Sequence, residues 1–430
     1  MKTDQIQKVH KDWYKLDLSA IVYPTLQRRD FSSVYRLSVL LKEDIDPEIL
    51  QRAVNLTMPR FPTYKAAIRK GVFWRYLEPN DRPGPFVQED VKNPCQPMHF
   101  KGNNRYLVRI YYYRNRIALE AHHSLGDGTG GMCVLQTLTA TYLRLKGHSE
   151  IENGGFVLDI LGIPDPGELE DAYMKYANAK VCPPRPGEKT YRVRGTKEPF
   201  YTLNIIDGIM SVSEVVQVAK NYNATITEYL NSVLLYALMQ KQESEWHLKL
   251  RPVKIAMPVN LRRFFPSRTL RNFITMIYPG IDPRLGEYTF EEIVTQVHNY
   301  MRYYLNEKLL RGDITTNAET QRNPFIRIVP LFIKDLVVRQ FYTKIQDKNS
   351  SAGLTNMGAL KVPETMKPYI ERFDIYMGQP FSTRTNCAIA SFEDILTINF
   401  ASSIAETDVE RLFFRKLVQD GIHVKIESNR

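Results

Sequence analysis

At 430 residues the chain is too long for one simple core and points to two domains of comparable size. Its composition, 43% apolar, 24% charged and 11% aromatic, reads as an ordinary soluble globular protein and excludes a disordered one. The net charge of +11 comes from scattered Lys and Arg with no run of five; this argues against direct nucleic-acid binding and suits a phosphate-bearing cofactor or an acidic carrier protein.

The opening residues, Met1 to Lys8, carry no apolar h-region, so a secretory signal is not expected. No apolar run approaches the ~18 residues of a membrane span, and no transmembrane segment is expected. Cys95, Cys133, Cys182 and Cys387 lie far apart with no C-x-x-C pair. That pattern argues against a zinc ribbon or redox motif and fits a reducing, cytoplasmic setting.

In chain order, residues 13 to 30 form an aromatic-rich opening segment, and Val34 to Leu41 reads as a strand. Asp46-Pro47 starts a helix, with Asp as N-cap and Pro at the first helical position. A hairpin is expected around Lys70-Gly71. Arg105 to Tyr113 and Arg116 to His123 follow as strands, then a helix carrying Met132, Leu135, Leu138 and Tyr142. A short helix is expected from Pro166 to Lys180. The Pro-, Gly- and charge-rich stretch 182–200 reads as a linker, dividing an N-terminal lobe (1–181) from a C-terminal lobe (201–430).

The second half again mixes strands and helices. Tyr201 to Met210 reads as a strand and Thr225-Ile-Thr-Glu228 as a capping box. Val253 to Met257 is a buried strand, and Phe290 to Leu310 and Pro330 to Tyr342 are helices. Gly353 to Leu360 is a strand, Cys387 to Ser391 and Leu396 to Ala401 a hairpin, Thr407 to Glu410 a second capping box, and Ile422 to Ile426 a last strand. The expected fold class is α+β, in two similar lobes.

The most informative stretch is His122-His123-Ser124-Leu125-Gly126-Asp127-Gly128, between a strand and a helix. With period two, His123 continues the apolar face of Ile117, Leu119 and Ala121, while His122 shares the opposite face with Glu120. Neighbouring strand residues cannot easily close on one metal ion, so no metal is expected. Gly126-x-Gly128-x-x-Gly131 formally matches a dinucleotide fingerprint, but the preceding strand alternates with charge. Asp127 suits a helix N-cap, and an inward His123 alone could be a core histidine. A neutral imidazole facing a channel could instead take a proton from a hydroxyl, amine or thiol.

This stretch resembles the HHxxxDG motif of the CoA-dependent acyltransferases, the superfamily of chloramphenicol acetyltransferase and the condensation domains. Trp13-Tyr-Lys-Leu-Asp17, Pro258-Val-Asn260-Leu-Arg262 and Thr355-Asn356-Met-Gly358 look most like the alcohol O-acetyltransferase branch. The resemblance implies two chloramphenicol-acetyltransferase-like lobes of mixed sheets and helices with a channel between them. It implies His123 as general base, with His122, Asp127 and Gly128 structural, and an arginine paired with Asp127, for which Arg262 is the candidate. Asn356 is the candidate oxyanion or substrate contact. The implied reaction moves an acyl group, acetyl in the leading reading, from acyl-CoA to the hydroxyl of a small or lipid-like alcohol. A condensation-type reaction with an acyl carrier protein, and a non-catalytic relic of the fold, are the alternatives. A monomer is expected.

Overall fold

The computed structural model describes residues 13–27, 31–179, 188–245, 249–378 and 383–430. The first half opens with β1 (Tyr14–Lys15), the short helix α1 (Tyr23–Leu26) and the strand β2 (Val34–Leu41). Helix α2 (Pro47–Thr57) starts where Asp46 accepts from the Glu48 and Ile49 amides. β3 (Ala66–Lys70) and β4 (Arg75–Pro79) form the expected hairpin. β5 (Val87–Glu89), β6 (Val108–Tyr113) and β7 (Arg116–His122) lead into α3 (Gly128–Leu145).

The helix expected over 166–180 shrinks to a single 3-10 turn and α4 (Ala172–Tyr176). Its would-be ladder carbonyls are taken elsewhere: Leu270 N donates to Glu168 O and Thr269 Oγ1 to Glu170 O. The expected linker, 182–200, lies outside the described residues as far as 187. From 188 it runs irregularly to an isolated bridge between Lys197 and Ile404.

The second half begins with β8 (Asn204–Ser211) and α5 (Val212–Asn221), a helix capped by Ser211 that the sequence reading missed. In α6 (Ile226–Ser244) the Thr225 and Glu228 side chains close the expected capping box. β9 (Val253–Asn260), β10 (Ile274–Ile277) and β11 (Gly280–Ile281) follow. The long helix expected over 290–310 is two, α7 (Phe290–Tyr304) and α8 (Glu307–Arg322), because Leu305 leaves helical geometry and Asn306 caps afresh. Then come α9 (Pro324–Ile328), α10 (Leu331–Asn349), β12 (Ala352–Ala359), β13 (Ile370–Met377), the hairpin β14 (Thr385–Phe392) and β15 (Ile395–Ser402), α11 (Asp408–Gln419) and β16 (Lys425–Ser428). The second expected capping box does not form. Thr407 makes no cap bond, and the Glu410 carboxyl is buried, accepting from Thr385 Oγ1 at 2.7 Å.

Two large sheets result. One runs β13-β2-β7-β6-β5, with only β5 and β6 parallel; the other runs β10-β9-β12-β14-β15-β8-β16, with β11 also on β9 and β12 parallel to both neighbours. β1, β4 and β3 form a small third sheet. Helix α3 packs on β2 and β7, and α6 packs against β9, α7 and α11. Each large sheet therefore has helical cover and an apolar core, and the small sheet shares the first.

β13 comes from the second half yet pairs with β2, from Ile370 beside Leu41 to Met377 beside Tyr35. Its other side meets the second sheet, where Asn399 Oδ1 accepts from Ile375 N and Thr397 Oγ1 donates to Phe373 O. The two α+β lobes, of mixed sheets flanked by helices, are tied at this seam. A channel opens between them.

Candidate active site

The end of β7 sets the site. Ile117, Leu119 and Ala121 are buried in the first core, while Glu120 faces the other way and binds Arg109 at 2.8 Å and the Cys95 amide at 2.6 Å. Alternation carries through the two histidines. His122 is fully buried, edge-on to Phe100, and its Nδ1 accepts from Ser124 N at 3.2 Å, which leaves the proton on Nε2. Burial, then the neighbouring His123, pushes its pKa down to about 3.

His123 lies on the opposite face and lines the channel. Its backbone amide is fixed on Ser33 O, and its ring stacks on Tyr23 at 4.8 Å and leans on Tyr35 at 4.6 Å. Burial pushes its pKa down to about 4, against the opposing pull of the Asp127 charge and of Asn272. At neutral pH the ring is uncharged and can accept a proton.

Asp127 is spent on structure. One carboxylate oxygen caps α3 through the Thr129 and Gly130 amides. The other accepts from Arg262 at 2.7 Å and from Phe273 N at 2.9 Å. Arg262 is held in turn by the Thr269 and Arg271 carbonyls. The loop 261–273 of the second half is thereby clamped onto the first turn of α3. The contact explains the local glycines: a Cβ on Gly130 would stand 1.9 Å, and one on Gly126 2.4 Å, from the Leu270 carbonyl oxygen. Only glycine admits that approach.

The sequence reading missed Asn272. Its amide donates to the His123 carbonyl at 2.8 Å and to the buried Asp17 carboxylate at 3.1 Å, which also faces Arg271. Its own oxygen and His123 Nδ1 are both buried with no hydrogen-bond partner among the described residues, and the Asn272 side chain pulls the His123 pKa upward. Asp17 ends the Trp13-to-Asp17 segment, which gives that stretch a structural role. Nothing in the local sequence marks Asn272, because its partners lie about 150 and 255 positions away.

The channel has a volume of about 2510 Å³, well beyond the ~300–1,000 Å³ of an ordinary ligand pocket. Both halves line it: Tyr23, Tyr35 and His123 from the first, Thr227, Asn356 and Asn386 from the second. Asp127 and Gly128 reach its wall, whereas His122 and Arg262 do not. Asn356 gives one amide proton to Thr227 Oγ1 at 2.9 Å, and its oxygen accepts from Gly358 N. Among the described residues no group of three or more metal-ligating side chains converges.

No protein-family model matches the chain, and no curated protein is similar to it in sequence. Solved structures are. TRI101 of F. sporotrichioides, in complex with coenzyme A and T-2, superposes over 96% of this chain and 100% of its own at TM-score 0.63 and 13% identity. The chain has the fold of the CoA-dependent acyltransferases. The same fold appears in polyketide synthase associated protein 5 from Mycobacterium tuberculosis, over 94% of this chain and 96% of that one (TM-score 0.58, 12% identity). The starter condensation domain of rhizomide synthetase, as a mutant with C8-CoA and Leu-SNAC, matches over 98% and 96% (TM-score 0.60, 10% identity).

Proposed function

We propose that this protein transfers an acyl group, acetyl in the simplest case, from acyl-CoA to the hydroxyl of a small or lipid-like alcohol. The observation that carries the reading is His123: an uncharged imidazole on the wall of a channel wide enough for two substrates. In the proposed step Nε2 takes the hydroxyl proton as the alcohol oxygen attacks the thioester carbonyl. The tetrahedral intermediate collapses with loss of the CoA thiolate, which recovers the proton from the imidazolium. The free amide proton of Asn356 is the proposed donor to the oxyanion. Lys15, Arg263 and Arg302 line the channel, are themselves exposed, and suit the phosphates of CoA. His122, Asp127, Gly128 and Arg262 hold the strand end and helix start in register. In the same reading the lobes divide at the 182–200 crossover.

Incubation with acetyl-CoA, a panel of alcohols and a thiol reagent should release CoA in an acceptor-dependent way. His123→Ala should lower that rate by about 10²–10⁴-fold. Turnover no faster than thioester hydrolysis, or an unaffected variant, sinks the proposal. The likeness to condensation domains supports a second reading, acyl transfer from a carrier-protein thioester. Activity with that donor and none with acyl-CoA would select it.

A further inference from the structure

Over 331–338 helix α10 is amphipathic in the reverse sense to a helix on a soluble protein. Its two charged side chains there, Lys334 and Asp335, turn back onto the protein. Asp335 forms a two-pronged pair with Arg75 at 2.6 and 2.8 Å and accepts from Thr25, while Lys334 donates to the Phe73 and Arg327 carbonyls. Its apolar side chains over 332–337 turn outward, next to those of α9. Phe325, Ile328, Phe332 and Leu336 are between 60% and 78% exposed. The Leu331 amide is bonded to Val72 O, so the tip of the β3–β4 hairpin, with Val72 and Trp74 exposed, lies against the same helix. A soluble surface scatters such residues singly, and a contiguous aromatic and aliphatic patch of this kind marks an interaction face.

Three features on this face select its occupant. Between 323 and 340 the exposed cations are Arg327 and Arg339, and the single acid, Asp335, is turned inward onto Arg75. With Lys70 exposed at the hairpin and +11 on the whole chain, the face matches an anionic surface. Phe and Trp mixed with aliphatic side chains and flanked by Lys and Arg form the pattern of helices lying in a lipid headgroup layer. Phe73, Trp74, Ile326, Ile333 and Val337 also line the channel, so the patch runs on into the channel wall, and we place a channel mouth there. A rigid protein seated there would cover that mouth, whereas a fluid bilayer leaves its own molecules free to enter.

We propose that α9, α10 and the β3–β4 hairpin dock this protein on an anionic lipid bilayer, with the channel mouth opening into the headgroup layer. It follows, resting on the acyl-transfer reading above, that the acceptor is a membrane-dissolved amphiphile with its hydroxyl presented to His123.

The docking is tested without substrates by sedimentation with vesicles of phosphatidylcholine and phosphatidylglycerol at about 3:1. The wild-type protein should pellet with these vesicles, and much less with pure phosphatidylcholine or at high salt. The double variant Phe332→Ser/Leu336→Ser should partition at least ~10-fold more weakly, with an unchanged thermal melt because both side chains face solvent. Trp74 emission should shift to the blue on vesicle addition, and Trp74→Phe should remove that shift. A wild-type protein that stays in the supernatant, or a double variant that binds equally, overturns the proposal. So does a dimer in light scattering that the double variant dissolves, since a second copy then covers the face. Since no acyl donor or acceptor is present, these results stand or fall separately from catalysis.

Discussion

A histidine that stays uncharged to low pH can act as a base where an ordinary one is already protonated. Because burial lowers the His123 pKa from 6.5 to about 4, the acid limb of kcat/KM should fall below pH 6.5. The same shift has a stability sign. Below 6.5 the unfolded chain gains protons at His122 and His123 that the folded chain refuses. Their contribution is therefore complete above 6.5 and lost as pH falls towards 4 and 3. Asn272 pulls the His123 pKa upward, so Asn272→Ala should move the acid limb to still lower pH. It should also reduce kcat by up to about 10²-fold with the KM for acyl-CoA little changed, because the imidazole is less well aimed. A pH profile that superposes on the wild type would reduce Asn272 to a packing residue.

Between elements, the decisive contact is the clamp of loop 261–273 on the start of α3. Arg262→Ala leaves the buried Asp127 carboxylate without its counter-charge and should destabilise by about 3–5 kcal/mol in denaturant melts. Arg268→Ala, six positions on, removes an exposed pair with Asp165 and should change stability by less than about 1 kcal/mol. Equal effects would mean that the buried clamp is not what joins loop and helix. Strand β13 shows how far local pattern can mislead. Its residues Ile-Glu-Arg-Phe-Asp-Ile-Tyr-Met carry charge at positions that end up buried, since Arg372 and Asp374 meet each other between the sheets. No alternation of apolar and polar residues marks it as a strand.

Across the whole molecule, the seam between the lobes carries its own titration. Asp207 accepts from Tyr376 and Asn399, and burial, then the Asp374 charge, pushes its pKa up to about 7. A carboxyl raised from 3.8 favours the protonated folded state. Its contribution is complete below 3.8 and is lost as pH rises through about 7. Asp207→Asn, which is neutral throughout, should raise the melting temperature by an amount that grows from pH 4 to pH 7 and then levels off. A gain that is constant with pH would locate the titration elsewhere.

What the amino-acid sequence determined was local. Asp46-Pro47 and Thr225-to-Glu228 start helices because the caps they form involve residues two or three positions apart. Alternation along β7 sent His122 and His123 to opposite faces, because the side-chain period of a strand is two wherever it lies. Tertiary structure decided whatever needed a distant partner: Glu410 bound to Thr385 instead of closing a box, and β13 joined the other half's sheet. It also brought Asp17, Asn272 and Arg262 to the two ends of the His123–Asp127 corner, and turned the apolar side of α10 outward. Short-range hydrogen bonds and strand pleat are properties of neighbouring residues and can be read from them. A buried charge or an inverted helix is explained only by the groups that the folded chain places around it.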